Sequence, residues 1–173
     1  PARLVIWVKE ELFKLYKLKV MGEVTSFLGV YIHRGRKERK IFLSQKSYIE
    51  DVLNRFGMET CKAVKTPAVT KSCKRASTPC EDKTPFLEAV GSLLYLSTRT
   101  RPDIAAAVGA VARHVERPSE SDWTDLKRIL RYLKGTLNFC LILGPGAHGS
   151  PALKRYSDAD WAGDTDDWKS VSG

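Results

Sequence analysis

The sequence predicts an α+β fold, on three observations. Val24–His33 and Ile41–Leu43 are rich in β-branched and aromatic residues and flank a polar turn, the pattern of a β-hairpin. Between residues 84 and 135, three stretches repeat apolar residues at helical spacing. The tail then returns to short β-rich runs at Phe139–Leu143 and Leu153–Trp161. The expected order is therefore a hairpin, a helical bundle and the strands of a further domain.

The elements follow from local pattern. Over 8–18, Val8, Leu12, Leu15 and Tyr16 share one helical face and Gly22 breaks the run. Val24–His33 reads as a single strand. Arg34-Gly35-Arg36-Lys37-Glu38-Arg39-Lys40 is a turn with five basic residues in seven, and Ile41-Phe42-Leu43 returns from it. Ser44 is the expected cap of a helix over 45–56 whose apolar face is Tyr48, Ile49, Val52, Leu53 and Phe56, with Gly57 as its stop. Residues 60–84, rich in Lys, Thr, Ser, Pro and Cys, read as a surface loop.

Thr84-Pro85 resembles a cap followed by Pro at the first helical position. Phe86, Val90, Leu93, Leu94 and Ser97 then share one side. Pro102 opens a second helix carrying Ile104, Val108, Val111 and Val115. Ser119 starts a third, with an apolar stripe of Trp123, Leu126, Ile129, Leu130 and Leu133, and Gly135 ends it. Gly144 to Pro151 reads as a flexible connection.

Composition narrows the function. Hydrophobic residues make up 43% and charged residues 28%, as in a soluble globular protein. No run approaches the roughly 18–20 apolar residues of a membrane helix, so no membrane partner is expected. Pro1-Ala2-Arg3-Leu4 does not read as a signal peptide, and a start without Met suits a piece of a longer chain. Cys61, Cys73, Cys80 and Cys140 lack zinc-ligand spacing and read as reduced thiols of an intracellular protein.

The net charge is +9, and it is uneven: residues 151–173 hold 3 basic and 5 acidic side chains, so the excess lies in the body. A basic body attracts polyanions, above all nucleic acid. Two cationic surfaces stand out. One is the hairpin tip. The other is a stripe of Lys127, Arg131 and Lys134, with Arg128 alongside, on the third helix; cations at that spacing suit a run of phosphates. Each could equally be a solvated face.

The acidic run Tyr156 to Asp167 could place a carboxylate at a strand end, as two-metal sites require, but one strand supplies only one or two ligands. By pattern alone a polar turn is the better reading. His33, His114 and His148 are scattered and read as structural or surface residues. No Walker-type, G-x-S-x-G or G-x-G-x-x-G sequence occurs.

Several blocks in one order carry a resemblance: Phe27-Leu28-Gly29-Val30, Leu43-Ser44-Gln45-Lys46-Ser47-Tyr48-Ile49, Arg55-Phe56-Gly57-Met58, Gly91-Ser92-Leu93-Leu94-Tyr95-Leu96, Thr100-Arg101-Pro102-Asp103-Ile104-Ala105, Leu130-Arg131-Tyr132-Leu133-Lys134-Gly135-Thr136, and Tyr156-Ser157-Asp158-Ala159-Asp160-Trp161-Ala162-Gly163-Asp164. From about residue 9 to Gly173 the chain resembles the pol polyprotein of copia-type LTR retrotransposons. The matching part is the reverse transcriptase's C-terminal region running into RNase H.

The resemblance implies a division of the chain. Residues 1–44 would be the end of the polymerase palm, with a primer-grip-like hairpin at Phe27, Leu28 and Gly29. Residues 45–135 would be thumb-like helices, 136–153 the connection and 154–173 the start of an incomplete RNase H-like domain. Lys127, Arg128, Arg131 and Lys134 would track nucleic-acid backbone. Asp158 would match the first metal-binding and catalytic aspartate of RNase H. Mg²⁺ serves the parent family, but a lone Asp158 implies that this segment binds none. The polymerase's aromatic-x-Asp-Asp motif is absent from the sequence, and so is the rest of the RNase H acid set.

The resemblance thus implies a segment that holds an RNA–DNA hybrid or duplex without catalysing phosphoryl transfer, working with the remainder of the polyprotein. The implied setting is the cytoplasm, in a virus-like particle, or the nucleus. Two rivals stand beside it. One is an active reverse transcriptase/RNase H whose natural chain extends both ways. The other is a decayed or co-opted product acting as a protein-interaction module.

Overall fold

The computed structural model describes residues 2–69, 78–80 and 82–145. It is α+β, with five α-helices and a four-stranded antiparallel sheet among the described residues. The first helix, α1, runs Ala2–Leu15, earlier than the 8–18 expected from apolar spacing. Its Leu4, Ile6, Trp7, Val8, Leu12 and Phe13 are exposed, so its apolar face meets no neighbour.

The sheet is built in chain order from β1 (Ser26–Phe27), β2 (Val30–Gly35), β3 (Lys40–Ser44) and β4 (Leu141–Leu143). The stretch read as one strand over Val24–His33 is in fact two. Leu28 and Gly29 take φ of 48° and 72° and reverse the chain, pairing Phe27 with Val30 and Ser26 with Tyr31. Positive φ at both central residues is what a two-residue hairpin turn demands, because its twist then matches that of the strands. β2 and β3 pair from Tyr31↔Ser44 to Gly35↔Lys40 around the cationic turn, as expected. β4 closes the sheet on β3, with Ile41 opposite Leu143.

Helix α2 spans Lys46–Arg55 and buries Ile49, Val52 and Leu53. Its N-cap position is Gln45, not Ser44, which is the last residue of β3; the Lys46 amide lies 3.4 Å from the Ser44 hydroxyl. Helix α3, Thr84–Arg99, starts at the expected cap residue itself: Thr84 is already helical, Lys83 takes the N-cap position, and the Thr84 amide donates to Asp82 Oδ1 at 2.8 Å. Pro102–Ile104 forms a single 3₁₀ turn that leads into α4, Ala105–Ala112. A fixed proline φ suits that start.

Helix α5, Glu120–Gly135, begins at Ser119 as expected. The Ser119 hydroxyl accepts from the Asp122 amide, and the Asp122 carboxylate accepts from the Ser119 amide at 2.8 Å, so two helix-end donors are satisfied reciprocally. The core lies between α2, α3, α4 and α5. Phe86, Leu93, Leu96, Ile104, Leu126, Leu130 and Leu133 are wholly buried there. Burying each such side chain favours folding by roughly 1.5–3 kcal/mol over leaving it in water. Leu94, expected on the apolar side of α3, faces outward instead, and Ala89 and Leu96 take its place in the core.

Candidate nucleic-acid interface

The β1–β2 turn presents Phe27 and Leu28 to solvent at 62% and 65% exposure. Its backbone is held from behind by α3: the Tyr95 hydroxyl donates to the Leu28 carbonyl. Tyr95 is itself fixed, with its ring edge-on to Tyr48 at 5.2 Å and the Arg99 guanidinium 5.7 Å from its ring centre. At Gly29, φ of 72° disfavours any side chain, and an added Cβ would sit 3.9 Å from the Tyr95 hydroxyl.

The β2–β3 turn is the second feature. Arg36 pairs with Glu23, both exposed. Arg34, Lys37 and Arg39 are exposed and, among the described residues, form no ion pair. These exposed cations lie on and beside the turn of a paired hairpin.

The four cations expected to track phosphates on α5 divide into two kinds. Lys127 faces solvent, its ammonium 5.5 Å from the Trp123 ring centre, and Lys134 is half-buried. Arg128 and Arg131 instead fasten a loop. Arg131 Nε donates to the Lys62 carbonyl at 2.7 Å, Arg128 donates to the Thr66 hydroxyl at 2.9 Å, and the Val64 amide reaches the Arg131 carbonyl at 3.4 Å. Gly135 lets that loop lie close, since a Cβ there would be 3.1 Å from the Ala63 methyl. Among the described residues no hydrogen bond or ion pair joins the Phe27–Gly29 turn to these α5 cations.

A polar cluster around one buried arginine sets the helices that carry these surfaces. Arg101, 1% exposed, donates to both Asp103 oxygens, Nε at 3.0 Å and Nη2 at 2.8 Å. It also donates to the Thr136 hydroxyl at 2.6 Å and the Thr136 carbonyl at 3.2 Å, tying the start of α4 to the end of α5. Its guanidinium lies 5.6 Å from the centre of the Tyr132 ring and 5.5 Å from that of Phe139. The Tyr132 hydroxyl donates to Asp103 at 2.8 Å. Burial acts to raise the Asp103 pKa, but hydrogen bonds from Arg101 and Tyr132 and the Arg101 charge outweigh it and hold the carboxyl below its ordinary range. Burial, then the bond to Asp103, pushes the Tyr132 hydroxyl up.

Tyr95, Arg101 and Asp103 fall inside the ordered motif blocks, but pattern alone assigns them no role, and Arg99 lies in no block. An arginine and an aspartate flanking a proline at the junction of two apolar helices is the sequence signal for this pair. Asp158, the Leu153–Trp161 strand and Cys73 lie outside the described residues. Among the described residues no three His, Cys, Asp or Glu side chains gather into a metal-holding group. Among them, too, no helix is long and apolar enough to cross a membrane.

The chain that carries this basic hairpin and helical bundle is similar, over nearly all its length, to known Pol polyproteins. It is 44% identical over 178 aligned positions to the retrovirus-related Pol polyprotein from transposon TNT 1-94 of Nicotiana tabacum, covering 98% of this chain and 13% of that protein. It is 39% identical to the Pol polyprotein from transposon RE2 of Arabidopsis thaliana, and 95% of this chain aligns with 11% of that protein. The Pol polyprotein from transposon RE1 of the same plant is 41% identical over the same shares, 95% and 11%. The chain belongs to the retrovirus-related Pol polyproteins of copia-type retrotransposons. It spans about an eighth or less of those relatives' own lengths. No protein-family model matches it, and no solved structure matches it.

Proposed function

We propose that this chain holds template–primer nucleic acid, an RNA–DNA hybrid or duplex, as the thumb-side part of a retrotransposon reverse transcriptase, and leaves phosphoryl transfer to other parts of the polyprotein. In this reading the Phe27-Leu28-Gly29 turn is a primer-grip-like contact and the helices over 45–135 are thumb-like. Residues 136–153 form the connection. Residues 154–173 begin an RNase H-like domain in which Asp158 is the first aspartate. The observation that carries the reading is the β2–β3 tip. Arg34, Lys37 and Arg39 project from a paired hairpin in a chain of net charge +9, and fixed cations of this kind contact phosphates without reading sequence.

The test is fluorescence anisotropy with a labelled RNA–DNA hybrid at low salt. Replacing Lys37 and Arg39 by Glu is expected to weaken binding at least tenfold. Unchanged affinity in that variant removes the tip from the interface, and an absence of wild-type binding ends the reading.

The exposed apolar face of α1 favours a second role beside this one: contact with the remainder of the polyprotein, or a protein-interaction module. Leu4, Ile6, Trp7 and Phe13 are all more than two-fifths exposed, a density that marks an interaction surface. Sedimentation without nucleic acid is expected to show concentration-dependent association. Replacing Ile6 and Trp7 by Lys is expected to abolish it, and a strictly monomeric wild type contradicts this role.

A further inference from the structure

We infer that Arg99 is a phosphate-binding residue for the nucleic-acid strand lying against the Phe27–Gly29 turn, and that Tyr95 is the positioning residue that sets arginine and turn together. This deepens the proposed function and rests on it.

Three observations meet at Tyr95. The first is strain: Leu28 holds φ of 48°, a conformation uncommon for a branched apolar residue. Such outliers persist where surrounding structure over-determines them, and they cluster at sites that grip a ligand. Here the Tyr95 hydroxyl supplies that restraint through the Leu28 carbonyl. The restraint exposes the Leu28 and Phe27 side chains at the tip of the turn.

The second observation is Arg99. It lies one helical turn beyond Tyr95 on α3, exposed, with its guanidinium 5.7 Å from the Tyr95 ring centre. Among the described residues no carboxylate pairs with it. Stacking on the ring narrows its rotamers while leaving its donors to solvent, which suits the planar fork to a phosphodiester. The third is a contrast: Arg128 and Arg131 on α5 each give a donor to the 62–66 loop. The arginine next to the turn does not. One tyrosine thus carries an apolar contact for a sugar or base on its hydroxyl side and a cation for the backbone on its ring face.

The test uses the 173-residue chain and an RNA–DNA hybrid, with the dissociation constant measured by anisotropy across a salt series. Arg99→Gln is expected to lower the salt slope by about one, the loss of one phosphate contact, and to weaken binding severalfold regardless of sequence. Tyr95→Phe keeps the ring and removes the anchor, so it is expected to weaken binding while leaving the slope intact. Arg55→Gln, on a different helix, is expected to change neither. An unchanged slope in Arg99→Gln, or an equal loss in Arg55→Gln, overturns the inference while leaving nucleic-acid binding itself in place. A wild-type chain that does not bind overturns the reading beneath it, and the inference with it.

Discussion

The Arg101 guanidinium grips both carboxylate oxygens of Asp103, two residues away, while almost wholly buried. Around that pair close the end of α5 through Thr136 and the Tyr132 and Phe139 rings. The Thr-Arg-Pro-Asp stretch is therefore a clamp that fixes where α4 begins relative to where α5 ends. Pro102 between the two partners supplies the turn that lets them face each other.

Removing the arginine leaves a buried space and unsatisfied partners at the junction of α4 and α5. Arg101→Ala is expected to lower stability by about 2 kcal/mol, from the lost hydrogen bonds of a buried arginine to the partly exposed Asp103 and to Thr136, and from the void left beside two rings. Arg101→Lys is expected to recover less than half, since one ammonium cannot span both Asp103 oxygens and Thr136. Urea unfolding followed by circular dichroism measures both.

Asp103 and Asp125 are expected to move stability in opposite directions with pH. The folded Asp103 carboxyl sits below its ordinary value of 3.8, so its contribution is present above that value and lost as pH falls through the folded value. Burial, and then the charge of Asp122, raises the Asp125 carboxyl above 3.8, so its charged form disfavours folding increasingly as pH rises past that point. Urea midpoints between pH 3 and 7 check this. Asp103→Asn flattens the acid loss of stability, whereas Asp125→Asn gains on the wild type towards neutral pH.

The Ser119 cap gives a smaller effect. Ser119→Ala removes the hydroxyl that accepts from the Asp122 amide. The expected cost is about 1 kcal/mol, a fall in melting temperature of roughly 3 °C. Differential scanning calorimetry reads it directly.

The loop held on α5 gives a local readout. Arg131→Ala with Arg128→Ala frees the Lys62 carbonyl and the Thr66 hydroxyl. Trypsin cleavage after Lys62 and Lys65 is expected to speed up severalfold, with a smaller change in urea midpoint than Arg101→Ala causes. Unchanged cleavage would mean that the backbone contact at Val64 alone holds the loop.

Sequence was legible where one periodicity dominated. The stripes of α2, α4 and α5 placed Ile49, Val108, Leu126 and Leu133 in the core because each helix buries a single face. The Ser119 start was legible because a capping box is written within four residues. Leu28-Gly29 was not, because its left-handed first position holds Leu in place of the Asn or Asp that usually signals such a turn. The division of labour among the α5 cations was hidden too. Arg128 and Arg131 carry the same charge as Lys127, and their partners lie more than sixty residues away in sequence. The role of Tyr95 was invisible for the same reason, since it depends on a carbonyl across the fold.

The most direct test of the central claim is the salt dependence of hybrid binding by the wild-type chain. The account predicts a straight line of log affinity against log salt, falling with a slope of several units, and the same line for hybrids of unrelated sequence. No binding at low salt, or an affinity indifferent to salt, would contradict it.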